Sequence, residues 1–287
     1  MQPMEAYKAL PAKVAQQVLI NLDKNWQSFF AATGEWKKNP TKFNAKPKLP
    51  NYKDKLSGRN LLLYTSQALS RKQVKQGKIK PSGLDIVVQT KQSKVDCVRI
   101  VPKKIHYVVE VVYTVQPKPA SVLSSLVAGI DIGLNNLATV TSNKQGFVPL
   151  VVNGRPLKSI NQYYNKQRAY LQSQTKEKTS HRIEQLNFKR NQKVNHELHV
   201  ASRFIVNHLQ KEGIGNLVIG KNPNWKQKIN IGDQNNQNFV SIPHARFISM
   251  LTYKAQLVSI KVVITEESYT SKCSFLDLEP IKSVKSI

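Results

Sequence analysis

Residues 129–139 read Gly129-Ile130-Asp131-Ile132-Gly133-Leu134-Asn135-Asn136-Leu137-Ala138-Thr139, and the fold turns on how they are read. Asp131 lies inside an apolar strand running from Val127 to Ile132. A carboxylate there costs free energy to bury unless it is paired or bound to metal. Flanking glycines leave room for metal or backbone to approach. Two-metal nucleases need this kind of arrangement, in which one strand carboxylate bridges both ions and further carboxylates complete the clamp on a scissile phosphate. A structural aspartate at a strand end is the other reading of the same pattern.

Working outward, LVAGIDIG-LNNLATVTS and GFVPLVVNG read as two strands of a hairpin. Residues 157–180 are polar and helix-permissive. A clearer helix is expected over 181–211, with Val194, Leu198, Ala201, Ile205 and Leu209 on one face. NLVIG (216–220) is a short buried strand. SIPHARFISMLTYKAQLVSI (241–260) starts as a helix with Ser241 as its cap and Pro243 in its first turn. KVVITEES (261–268) is a further strand. The order β-β-α-β-α-β makes this half α/β.

The first half has a different texture. Val14, Val18, Leu22, Trp26 and Phe29/Phe30 form one apolar stripe along a helix over 11–33, expected to pack on a partner helix. Residues 37–60 are a basic connection punctuated by proline, with Phe43 and Tyr52 interleaved. From 61 to 115 the runs LLLYTS, LDIVVQT, KVDCVRIV and HYVVEVVYTV are short and rich in β-branched residues. They predict a small antiparallel sheet or barrel. QPKPAS (116–121) reads as a linker.

Composition narrows the function. The chain has 287 residues, with 44 Lys+Arg against 17 Asp+Glu, and a formal charge of +27. The excess is +15 before residue 120 and +12 after it, so it covers both halves. Such a field attracts polyanions, and nucleic acid is the expected partner. No apolar run is long enough to span a membrane and no signal core opens the chain, so a cytoplasmic protein is expected. The only cysteines are Cys97 and Cys273, which rules out a disulfide framework and a four-cysteine zinc site within one chain. His196 and His199 stand at i, i+3, the wrong spacing for an HExxH zinc peptidase. Nucleic-acid contacts are expected from the basic stretch 155–193, at Lys158, Arg168, Arg182, Lys189 and Arg190, and from Lys221, Trp225 and Lys226 around NPNWKQK.

GIDIGLNNLATV resembles the first RuvC motif of TnpB, the OrfB-type transposon protein. ALPAKVAQQVLINLDKNWQSFF, NGRPLKSINQYYNK, NLVIGKNPNWKQ and EESYTSKCSFLD are similar to one branch of that family, and all five occur in the family's order. The resemblance covers roughly residues 5–280. It implies an RNase H-like (RuvC) domain over 121–287, preceded by a helical recognition segment over 1–47 and a small β-barrel-like (wedge) domain over 48–120. The fold class is then α/β plus mixed α+β. The implied partners are a guide RNA and a double-stranded DNA target, and the implied setting is the prokaryotic cytoplasm at the nucleoid. The implied activity is Mg²⁺-dependent DNA cleavage.

The departures matter. Gly220 stands where many relatives carry the second catalytic carboxylate. The resemblance moves that role to Glu267, with Glu266 beside it, and strand alternation lets only one of the pair enter a site. Ordinary surface glutamates are the alternative. No NADxNG-like motif follows, and nothing in the spacing of Asp277 or Glu279 argues for either as a substitute. Zinc-binding CxxC pairs are absent and no zinc site is expected. The chain is therefore expected to lack sequence at both ends relative to the family, including the last RuvC motif. Its cleavage should be weakened or lost; a non-catalytic RNA-guided regulator or a degenerate nucleic-acid-binding remnant is the alternative.

Overall fold

The computed structural model describes residues 5–54, 58–118, 121–175, 179–221 and 242–266. The chain divides into two compact units, Met1–Val115 and Gln116–Ile287.

In the first unit a single turn, α1 (Glu5–Lys8), precedes the 27-residue helix α2 (Ala12–Lys38). A three-stranded antiparallel sheet follows, made of β1 (Leu62–Thr65), β4 (Cys97–Pro102) and β5 (Tyr107–Val112) in the order β1-β4-β5. Between β1 and β4 lie the short helix α3 (Arg71–Lys75) and a two-residue ribbon, β2 (Lys78–Ile79) with β3 (Val88–Gln89). Ser70 caps α3 by accepting from the Gln73 amide. Among the described residues the three-stranded sheet is open, with β1 and β5 as its edges. The core gathers Val14, Tyr64, Leu69, Val74, Ile79, Val98 and Ile100.

The apolar stripe of α2 departs from expectation. Only Val14 and Ala15 are buried, where the first turns of the helix pack on β1. Leu22 is half exposed, and Trp26, Phe29 and Phe30 stack on one another instead of on a partner helix. The periodicity was right for a helix, but among the described residues no second long helix of this unit lies along the stripe.

The second unit holds a five-stranded mixed sheet. Its strands are β6 (Leu123–Asp131), β7 (Asn136–Ser142), β8 (Leu150–Asn153), β9 (Ile214–Gly220) and β10 (Lys261–Thr265). The order is β10-β9-β6-β7-β8, with β6-β7-β8 antiparallel and β9 and β10 parallel to β6. The run LVAGIDIGLNNLATVTS is thus two strands, not one. It turns back through Gly133–Asn135, so the unit runs β-β-β-α-α-β-α-β. Three antiparallel strands followed by two parallel ones across the first is the strand order of an RNase H-like sheet.

Three helices complete the unit: α4 (Arg155–Ser173), α5 (His181–Lys211) and α6 (His244–Gln256). Helix α6 begins after Pro243, and Ser241 lies outside the described residues. It stops at Gln256, before Ser259, whose φ of 61° is left-handed and cannot continue a helix.

Ile130, Ile219 and Ile264 stand in register across β6, β9 and β10. Ile130 and Ile219 are buried in one core with Val194, Leu198, Ile205 and Leu209 of α5 and with Phe247, Ile248 and Leu251 of α6. These helices therefore cover one face of the sheet. Alternation sends Val127, Gly129 and Asp131 to the opposite face, with Thr139, Val151 and Val263. There the side chains are partly or fully exposed, Val151 to 54% and Val263 to 40%.

Candidate active site and nucleic-acid interface

Asp131 is the last residue of the central strand and faces Thr139 across the β6–β7 ladder. Its side chain is exposed on the face that α5 and α6 leave uncovered. The two flanking glycines have different roles. A Cβ on Gly129 would meet nothing within 4 Å, whereas one on Gly133 would lie 2.9 Å from the Asn136 carbonyl. Gly133 therefore serves the tight turn that follows the aspartate.

That turn is fastened from the start of α4. The Gly154 amide donates to the Asn135 carbonyl at 2.8 Å, and a Cβ on Gly154 would come within 2.2 Å of the Leu134 carbonyl. The Asn153 side chain accepts from the Arg155 amide at 2.9 Å. Lys158 Nζ donates to Asn135 Oδ1. Lys158, expected as a nucleic-acid contact, is thus engaged in holding the loop that ends the Asp131 strand.

Of the two candidate glutamates, Glu266 directly follows β10 and is exposed. Thr265, one residue earlier, holds β10 against the end of β9 by accepting from the Lys221 amide at 2.8 Å. Glu267, Trp225 and Lys226 lie outside the described residues, as do Cys273, Asp277 and Glu279. Among the described residues no group of three His, Cys, Asp or Glu side chains converges as a metal would require. An exposed carboxylate at a strand end is nonetheless the hard oxygen donor that Mg²⁺ takes. Asp131 fits as one ligand of such an ion; the described residues do not supply the rest of the set. Cys97 is a free thiol in the other unit, its pKa raised first by burial.

The basic stretch splits on inspection. Helices α4 and α5 pack side by side and enclose a groove of about 620 Å³, lined by Tyr163, Tyr164, Arg182, Lys189, Arg190 and Lys193 among others. Three expected contacts, Arg182, Lys189 and Arg190, therefore come together, while Arg168 is exposed elsewhere on α4. Lys221 stands just after β9, apart from the groove. Arg190 is the most constrained. Its Nε and Nη2 donate to Asn161 Oδ1 at 2.8 and 2.7 Å, and its guanidinium lies 5.7 Å from the Tyr164 ring centre. Tyr164 in turn donates to Asn187 Oδ1 at 2.6 Å. Burial is the main reason that the Arg190 pKa falls below its ordinary value. Arg190 thus ties the helix pair together. Sequence reasoning missed Asn161, because a mid-helix asparagine gives no sign that it will be 2% exposed.

The described residues thus place a strand-end aspartate on the open face of a sheet with RNase H-like strand order, and a basic groove between α4 and α5. Residues 110–226, from β5 through β9, match the OrfB family of IS605-type elements, described as a probable transposase. Over this segment the chain is similar to that transposase family. No match is found among curated proteins.

Among solved structures, the chain is similar to the protein of a Cas12f1–sgRNA–target DNA complex. The identity is 15% over 62% of this chain and 37% of that one, with a TM-score of 0.49. It is also similar to the protein of a CRISPR-Cas12f ternary complex, with 18% identity over 64% of this chain and 38% of that one, and a TM-score of 0.44. The chain spans under two-fifths of the length of either. Among the described residues no helix is long and apolar enough to cross a membrane.

Proposed function

We propose that the chain is a transposon-associated, TnpB-like protein that binds double-stranded DNA under the direction of a guide RNA. Its ancestry is that of a metal-dependent DNA endonuclease, and its own cleavage is weakened or lost. The supporting observation is the placement of Asp131 at the end of the central strand, on the face left open by α5 and α6.

In this reading Asp131 and Glu267 would hold Mg²⁺. Thr265, at the end of β10, and Asp131 share a face of the sheet. When bound, Mg²⁺ supplies Lewis acidity toward a phosphate oxygen and lowers the pKa of its water. The chain's own part is to aim the carboxylates and to hold the phosphate backbone in place. Arg182 and Lys189 in the α4–α5 groove, with Arg168, Lys221, Trp225 and Lys226, would supply the holding contacts.

Base pairing by the guide would carry target sequence information, while the protein would read RNA shape and a short DNA flank. The helical segment 1–47 and a barrel-like wedge domain over 48–120 would hold the guide. The setting would be the prokaryotic cytoplasm, at the nucleoid.

The test is to load the full chain with its guide RNA and incubate it with a plasmid carrying the matching target and Mg²⁺. Guide-dependent binding with little or no cutting is expected. Robust Mg²⁺-dependent cutting that Asp131→Ala abolishes would overturn the loss of cleavage. Absence of any guide-dependent binding would overturn the guided reading itself.

A further inference from the structure

The outer side of α5 lines a second groove, away from the Asp131 face. His196, His199, Val200, Arg203, Phe204 and Asn207 recur every three or four residues and so form one stripe. The stripe that α5 buries against the sheet, Leu198, Ser202, Ile205 and Leu209, is a different one. Tyr253 and Lys254 of α6 meet the outer stripe and close a shallow groove of about 610 Å³.

Lys254 is the unusual member. It is 3% exposed, and its ammonium donates to the His199 carbonyl and to Ser202 Oγ, both at 2.7 Å. Both acceptors are neutral, while an ammonium has three protons to place. Among the described residues no carboxylate pairs with Lys254 or Arg203. Burial, then the Arg203 charge, lowers the Lys254 pKa; burial, then Lys254, lowers that of His199. Lys254 thus pins α6 to α5 and brings Tyr253 to the same groove as Arg203 and Phe204. Beside it, Phe204 and Tyr253 are 54% and 41% exposed. Aromatic faces next to an exposed cation suit an unpaired strand, whose bases stack while a phosphate meets the charge. A duplex would use only the cation. A second copy of a chain carrying +27 would bring like charges together.

We infer that the groove between the outer side of α5 and Tyr253–Lys254 of α6 binds a single nucleic-acid strand. Bases stack on Phe204 and Tyr253, and a phosphate is held by the exposed Arg203. The inference does not rest on the guided-nuclease reading, because strand binding here needs neither a guide nor Asp131.

The test measures anisotropy of labelled thymidine and uridine oligomers of about 15 nucleotides, and of a duplex of the same length, on the full chain. Phe204→Ala/Tyr253→Ala removes exposed rings only, so the fold should hold, as a thermal melt will show. The double variant is expected to bind single strands about tenfold more weakly and the duplex within about twofold of the parent. Arg203→Gln is expected to lower the salt slope by about one. Bromouridine-substituted oligomers should cross-link to the peptides carrying Phe204 and Tyr253. A preference for thymidine or for uridine oligomers assigns the strand as DNA or RNA. Unchanged single-strand binding with no cross-link at either ring would overturn the inference. So would equal losses for strand and duplex, or a parent dimer that the double variant dissociates.

Discussion

Asp131 is held in place by what surrounds it. The turn beyond it must be tight, and the Gly154 contact with Leu134 fixes where that turn can lie. Gly154→Ala would place a methyl group against backbone, where no flexible side chain can yield. We expect a loss of about 1–3 kcal/mol in urea unfolding. Asp131→Ala, by contrast, removes an exposed carboxylate and should leave the melting temperature essentially unchanged. Asp131 was legible in the sequence because a charged residue in an apolar strand is conspicuous. The role of Gly154 was not, since it depends on the Leu134 carbonyl, which only the fold brings close. For the same reason Lys158, read as one cation among many, is the side chain that grips Asn135.

Helix α5 was legible over its whole length, His181–Lys211, because its apolar stripe repeats without interruption. The pairing of α4 with α5 was not, since α4 is largely polar and the tie runs through Asn161 and Arg190. Replacing Asn161 with leucine should leave the half-buried guanidinium without its main acceptor and cost about 1–3 kcal/mol, read by denaturant unfolding of the variant. The β7–β8 connection is anchored by Lys144, whose ammonium donates to the Glu212 carboxylate at 2.7 Å and to the Glu212 carbonyl at 3.0 Å. This hydrogen bond is the main reason that the Glu212 pKa lies below its ordinary 4.5. A depressed folded-state pKa means a contribution fully present above the unfolded value and lost as pH falls through the folded one. The stability gap between the parent and Lys144→Met should therefore hold steady at neutral pH and narrow as pH drops below about 4.5. A gap that widens on acidification would contradict the assignment. The stripe on α2 shows the limit of periodicity: it identifies a helix but not what covers it.

For the molecule as a whole, charge and fold point the same way. A net +27 spread over both halves implies binding that weakens steeply with salt, whatever else the protein does. The strand order was only partly legible. The sequence showed alternating β and α segments, but the turn at Gly133–Asn135 hid a third antiparallel strand. The central claim, that a guide RNA directs this protein, is most directly tested by purifying the full chain and sequencing the nucleic acid bound to it. The account predicts one discrete RNA, with a constant structured part and a variable end, that survives a high-salt wash. A heterogeneous RNA population removed by high salt would mean that charge alone does the binding, and would contradict it.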